Sequence, residues 1–230
     1  MPGRETPLIT NEIYHVLNRG VASLPTFLDK NDFKRAIETM LYYQNQSPPL
    51  KYAKFLDLSR EQRQRLLEEL KRDKKFLVEI LTYCFMPNHF HFLLKQVVDN
   101  GISKFVSQFT NSYTRYFNIK HKRIGPLFQG KFKAKRVETE EQFVHLSRYI
   151  HLNPYSGGII KTQKQLADYP FSSLKEFLGK SSFPVCNQEP LMASFKNYQA
   201  YREFVFDQAD YQRNLELIKH LALEEKSFPP

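Results

Sequence analysis

The chain has 230 residues, 41% of them hydrophobic, with 20 Phe and 13 Tyr; that is enough for one domain, or one domain with an appendage, and it excludes a wholly disordered chain. Lys and Arg outnumber Asp and Glu by 34 to 24, a net charge of +10 that suits a polyanionic partner such as nucleic acid. No apolar run approaches the roughly 18 residues of a membrane helix, MPGRETPLIT lacks an apolar signal-peptide stretch, and the distant Cys84 and Cys186 can neither staple a scaffold nor build a Cys-rich zinc site.

In chain order, IYHVLNR at 13–19 reads as a strand. Asp29 or Asn31 can cap a following helix whose Phe33, Ile37, Met40 and Leu41 share one face. QNQSPPLKYAKF reads as a loop, and Ser59 with Gln62 as a capping box for a charged helix over 60–72, whose Leu66, Leu67 and Leu70 form a narrow apolar stripe, as in a surface insertion. FLVEILTYCFM at 76–86, the turn Pro87-Asn88 and HFHFLLK together predict a β-hairpin. Ile102, Phe105, Val106, Phe109, Tyr113, Tyr116 and Phe117 repeat at helical spacing, GPLFQG is a loop, and KFKAKRV is a short strand. Thr139 and Gln142 predict a second capping box, for a helix over 140–153 that Asn153-Pro154 should end, because a residue before proline avoids the α region. Beyond about residue 170 the chain reads as helical and aromatic, through Tyr198, Tyr201, Phe204, Tyr211, Leu215 and Ile218. Strand, helix, hairpin, helix, strand is the βαββαβ order of a ferredoxin-like α+β fold with an antiparallel sheet, here with an added helix and a helical C-terminal extension.

The charge is not spread evenly. Residues 100–137 contain no Asp or Glu but hold Lys104, Arg115, Lys120, Lys122, Arg123, Lys131, Lys133, Lys135 and Arg136, with Tyr113, Tyr116, Phe117, Phe128 and Phe132 between them. Cations pair with phosphates and rings stack on unpaired bases, so the run suggests a nucleic-acid track; an ordinary basic face over core aromatics gives the same composition.

His89 and His91 lie two apart on the second hairpin strand, so both imidazoles share one face while Phe90, Phe92 and Leu94 share the other. Neutral imidazole is a good ligand for a divalent ion, but two ligands do not close a site, and a His-x-His on a solvent face is the plainer reading. Tyr149 and Asn153 are at i and i+4 of the 140–153 helix, hence on one side of it. Tyr149 is either a core tyrosine bordering the Phe143, Leu146, Ile150 stripe or a nucleophilic oxygen, with Asn153 a carbonyl ligand for an ion at the histidines. A phenol of pKa about 10 is a poor nucleophile at neutral pH, and the charge of a phosphodiester repels it. A divalent ion beside the phosphate lowers that barrier.

MPNHFHFLL at 86–94 resembles the His-hydrophobic-His (HUH) signature of single-tyrosine transposases, RYIHLNP at 148–154 resembles their nucleophile helix, and DYPFSS at 168–173 resembles a segment that follows it. The subgroup most similar is that of the REP-associated tyrosine transposases, and the likeness runs from about residue 12 to 178. The resemblance implies a ferredoxin-like transposase domain over 1–178 with an insertion at about 44–75, and a separate extension over 179–230. It implies metal-dependent cleavage and rejoining of single-stranded DNA at hairpin-associated sites, with His89, His91 and Asn153 holding Mg2+ or Mn2+ and Tyr149 forming a 5′-phosphotyrosine link. The basic run then supplies the expected grip on single-stranded or hairpin DNA, through Arg115, Lys120, Lys122, Arg123, Lys131, Lys133, Lys135 and Arg136. It further implies a monomer or homodimer in the bacterial cytoplasm, associated with the nucleoid and not with a membrane. The chain departs from the family in YSGGII after Asn153-Pro154, in the longer 44–75 segment, and in residues 180–230. Two other functions fit the basic tract: a catalytically silent DNA-binding regulator, and a metal-dependent phosphodiester hydrolase that attacks with water and needs no Tyr149.

Overall fold

Strand β3 (His89–Gln96) has two chemically different faces, and the layers are arranged around them. It pairs antiparallel with β2 (Val78–Met86) through the tight turn at 87–88 and with β1 (Ile13–Arg19) on its other side; β1 then pairs antiparallel with β4 (Lys133–Arg136). The sheet order is β2-β3-β1-β4, the antiparallel arrangement expected of βαββαβ. The structure, a computed structural model, describes residues 7–181 and 184–214; Leu215 and Ile218 lie outside them.

Helices α1 (Lys30–Tyr43) and α4 (Gly101–Lys120) cover the phenylalanine face. Phe90 and Phe92 meet Phe109 of α4 with ring centroids 5.3 and 5.6 Å apart, and Ile102, Phe105, Val106, Phe109, Tyr113 and Phe117 form the buried stripe their spacing predicts. Burying each such side chain contributes about 1.5–3 kcal/mol, which makes this layer the anchor of the sheet. Asp29 caps α1 by accepting from the backbone N–H of Asn31 and Asp32, both at 2.9 Å. Tyr113 is core, its hydroxyl donating to the Thr26 carbonyl at 2.7 Å.

Helix α5 (Glu140–Ser156) lies against β2 and β3 on the opposite face. Segment 171–173 covers the outer edge of β2, with Phe85 N–H donating to Phe171 O at 2.9 Å and Ser173 N–H to Tyr83 O at 3.0 Å, so that edge is not left open for pairing. The DYPFSS segment therefore acts as an edge cover.

Several local expectations are corrected. The 44–55 segment is not all loop: Tyr52–Leu56 forms a short helix, α2, because Tyr52 and Phe55 find buried places against Tyr42. The charged helix α3 (Arg60–Asp73) has its capping box and is mostly exposed. Thr139 caps α5, but Gln142 Oε1 accepts from Glu138 N–H, one residue earlier than a capping box requires. Helix α5 does not stop at Asn153: it runs through Pro154 to Ser156, since residues 150–156 are all buried and Gly157 N–H still reaches Asn153 O at 2.8 Å. Packing outweighs the single N–H that proline removes. Short helices α6 (Gln163–Ala167), α7 (Leu174–Phe177) and α8 (Glu189–Met192) lead to α9 (Tyr198–Asp207), which packs on α5 and α7.

Candidate active site and nucleic-acid interface

Residues directly opposite each other on paired strands point to the same side of the sheet. Arg19 stands opposite His89, Leu17 opposite His91, and His15 opposite Leu93. On the far side of β1, Leu17 stands opposite Lys133 and His15 opposite Lys135. One sheet face therefore carries His89, His91, His15 and Arg19, with exposed Lys133 and Lys135 along its β4 edge.

Helix α5 brings Tyr149 onto this face. Its ring centroid is 5.7 Å from that of His91, edge-on, and 6.2 Å from that of His15. The His89 and His91 rings are 4.9 Å apart. His15 Nε2 and His91 Nδ1 share a 2.9 Å hydrogen bond, and His89 Nδ1 bonds Asn88 Oδ1 at 2.6 Å. Each of the paired histidines thus has Nδ1 committed to a protein partner, the arrangement in which Nε2 serves as a metal donor of fixed orientation. Burial pulls the His15 pKa down to about 4, and burial with the nearby Arg19 charge pulls His89 down to about 4. His91 lies well below the ordinary imidazole value, from burial first and then from His89, His15 and Arg19. These imidazoles are neutral at neutral pH, the form that binds a cation.

Asn153 is buried one turn beyond Tyr149, and its Nδ2 donates to the Tyr149 carbonyl at 2.8 Å, along its own helix. Among the described residues, no three His, Cys, Asp or Glu side chains form a group that could hold a metal ion. A site here would depend on the two histidines, a neutral oxygen such as that of Asn153, and ligands from substrate or water.

Helix α5 is held by a buried polar network. His151 Nδ1 bonds the Tyr201 hydroxyl at 2.7 Å, His151 Nε2 bonds Ser173 Oγ at 2.8 Å, and the Tyr201 hydroxyl donates to Ser147 Oγ at 3.1 Å. Burial lowers the His151 pKa to about 3, so it is neutral and matched to hydroxyl partners. Gln212 Nε2 adds a 3.3 Å bond to the Tyr149 carbonyl. Residues beyond 179 thus help seat the helix that carries Tyr149.

The basic run is divided by the sheet. Lys133 and Lys135 are exposed on the histidine face, whereas Arg136, next in alternation, makes a two-point ion pair with Glu12 at 2.8 and 3.1 Å. Arg115 is exposed on α4, on the other layer. Lys120 is tied to Asp29 and Asp32, both at 2.7 Å. Arg123 donates to Asn118 Oδ1 and to the Gly125 and Pro126 carbonyls inside its own turn. Lys122 and Lys131 are exposed on the 121–132 connection. One continuous track over 115–136, expected from the sequence, is not what the layers form.

Nothing in the sequence singles out His15, Ser147, His151 or Ser173, and Tyr201 stands there only as part of the aromatic helical stretch beyond residue 170. Alternation in IYHVLNR places His15, Leu17 and Arg19 on one side, but nothing local says that this side meets His91.

Residues 51–153 match the family model described as "Transposase IS200 like", a span that includes His89, His91, Tyr149 and Asn153. Among solved structures, the chain is similar to a REP-associated tyrosine transposase bound to a REP hairpin: TM-score 0.51, 15% identity, covering 81% of this chain and 90% of that one. No curated protein matches the chain. The resemblance to single-tyrosine transposases carried by MPNHFHFLL and RYIHLNP is met by the family match, and the ferredoxin-like α+β fold by the structural one.

Proposed function

We propose that the protein cleaves and rejoins single-stranded DNA at hairpin-associated sites, with Tyr149 as nucleophile. The observation that carries this is the placement of the Tyr149 ring edge-on to His91, with His15 hydrogen-bonded behind it, on a sheet face edged by Lys133 and Lys135. The family match and the hairpin-bound relative support DNA as the substrate.

The Tyr149 oxygen attacks phosphorus, the P–O3′ bond breaks, and the tyrosine is left linked to the 5′-phosphate. The phenolic proton is released and one is taken up by the departing 3′-oxygen, which leaves as a 3′-OH; rejoining is the reverse attack by a 3′-OH. His89 and His91 would hold Mg2+ or Mn2+, with Asn153 turning its carbonyl toward it. The ion, when bound, would neutralise charge on a non-bridging phosphate oxygen. His15 and Asn88 fix the two imidazoles through their Nδ1 atoms. Lys133 and Lys135 would hold flanking phosphates, and the packing of α5 on the sheet keeps the tyrosine near the reacting atom.

The test is to incubate labelled hairpin DNA carrying single-stranded flanks with protein and Mn2+ and to look for a covalent adduct. The adduct should disappear in Tyr149→Phe, and His91→Ala should abolish cleavage while DNA binding persists. An undiminished adduct in Tyr149→Phe would mean another nucleophile. The Asn153 amide bonded along its own helix favours the second reading, a silent DNA binder. That reading prevails if binding is tight and no divalent ion elicits cleavage.

A further inference from the structure

A cleft of about 440 Å³ beside the His89 end of the sheet takes no part in the proposed cleavage. Leu24, Pro25 and Leu28 form one wall, and Lys122 and Arg123 stand on the other. Leu24 and Leu28, both lining the cleft, are 58% and 55% exposed. Isolated exposed aliphatics are ordinary, but here they gather around one opening beside cations.

The walls are closely tied by backbone contacts. Ala22 and Ser23 both hold left-handed backbone, φ 52° and 58°, which costs a residue with a Cβ about 1 kcal/mol or more and recurs at ligand clamps. A Cβ on Gly20 would come 2.2 Å from the Leu24 carbonyl oxygen, so glycine lets this loop close on itself. Val21 N–H donates to Leu127 O at 3.0 Å, joining the walls, and Asn118 Nδ2 donates to Gly125 O at 2.9 Å, bracing the opposite turn.

The charge is placed with equal definition. Nearby Lys120 and His121 are occupied by Asp29 and Asp32. Among the described residues the bonds of Arg123 go to the neutral oxygens of Asn118, Gly125 and Pro126, and Lys122 is exposed. The apolar wall is also tied to the histidine strand: Asn88 Nδ2 donates to Ser23 O at 3.1 Å, while its Oδ1 takes His89 Nδ1–H at 2.6 Å.

The geometry points to a pocket for one unpaired nucleobase of the bound DNA, its flat faces against Leu24 and Leu28 and its phosphates on Lys122 and Arg123. The assignment rests on the proposed DNA reading. A base offers apolar faces of suitable size joined to an anionic backbone, the combination this cleft complements.

The experiment walks an abasic site through the unpaired positions of a hairpin oligonucleotide and measures affinity at fixed salt by fluorescence anisotropy. One position should weaken wild-type binding about tenfold. The double variant Leu24→Ser/Leu28→Ser, altered at exposed side chains and checked by thermal melting, should bind intact DNA about tenfold more weakly and no longer respond to that position. Lys122→Asn, chosen because Asn accepts left-handed backbone, should weaken intact and abasic DNA alike. The pocket is overturned if no unpaired position matters to the wild type, or if the double variant keeps the full abasic response. Wild-type protein that binds no hairpin DNA would overturn the DNA reading with it, whereas binding without any base response overturns the pocket alone.

Discussion

Two pairs of basic side chains lie within one acid-free stretch of sequence, and the fold puts them to different uses. At the β4 edge, Lys133 and Lys135 stand exposed on the face that carries His15, His89 and His91. At the end of α4, Lys120 is spent on Asp29 and Asp32, with His121 on the other oxygen of Asp32, whose side chain is fully buried. The first pair has charge to offer a polyanion; the second neutralises a buried carboxylate and holds α1 to α4. A local count of cations cannot tell these apart, because the acids that consume the second set lie some 90 residues earlier in the chain.

Substitutions can sharpen that contrast. Lys120→Met should cost the most stability, about 2 kcal/mol, because Asp32 would lose its lysine and keep only its hydrogen bonds with His121, the Tyr116 hydroxyl and the Leu28 N–H; chemical denaturation measures it, and an unchanged midpoint would break the structural half of the comparison. His15→Ala should weaken divalent-ion binding about 10- to 100-fold by freeing the His91 ring, read by Mn2+ titration of the protein alone. Lys133→Ala and Lys135→Ala should each leave stability within about 0.5 kcal/mol of wild type and lower the slope of log affinity against log salt by about 1. A slope that does not move would remove these residues from the DNA path. Arg115→Ala, exposed on the far layer, should change cleavage least; a loss as large as that of Lys133→Ala would show that DNA wraps both layers.

How much could be read in advance depended on the range of the interaction. His89 and His91 alternate with Phe90 and Phe92, and Tyr149 and Asn153 are one helical turn apart, so both relations were legible from local periodicity. The end of α5 is not legible locally, because the rule that a residue before proline leaves the helix is outweighed by burial that distant elements supply. The hydroxyl network through His151 and Tyr201 joins residues 50 apart, and no pattern of spacing announces it.

The sequence by itself determined the period of each element and hence which side chains share a face: imidazoles on one side of β3, rings on the other, tyrosine and asparagine together on α5. Only the tertiary structure decided which faces meet. Strand register put His15 behind His91 and Lys133 and Lys135 beside the histidines, and helix packing brought Tyr149 over them. The physical reason is that a side chain's direction follows from the few residues around it, whereas its partner is chosen by burial and pairing across the whole chain.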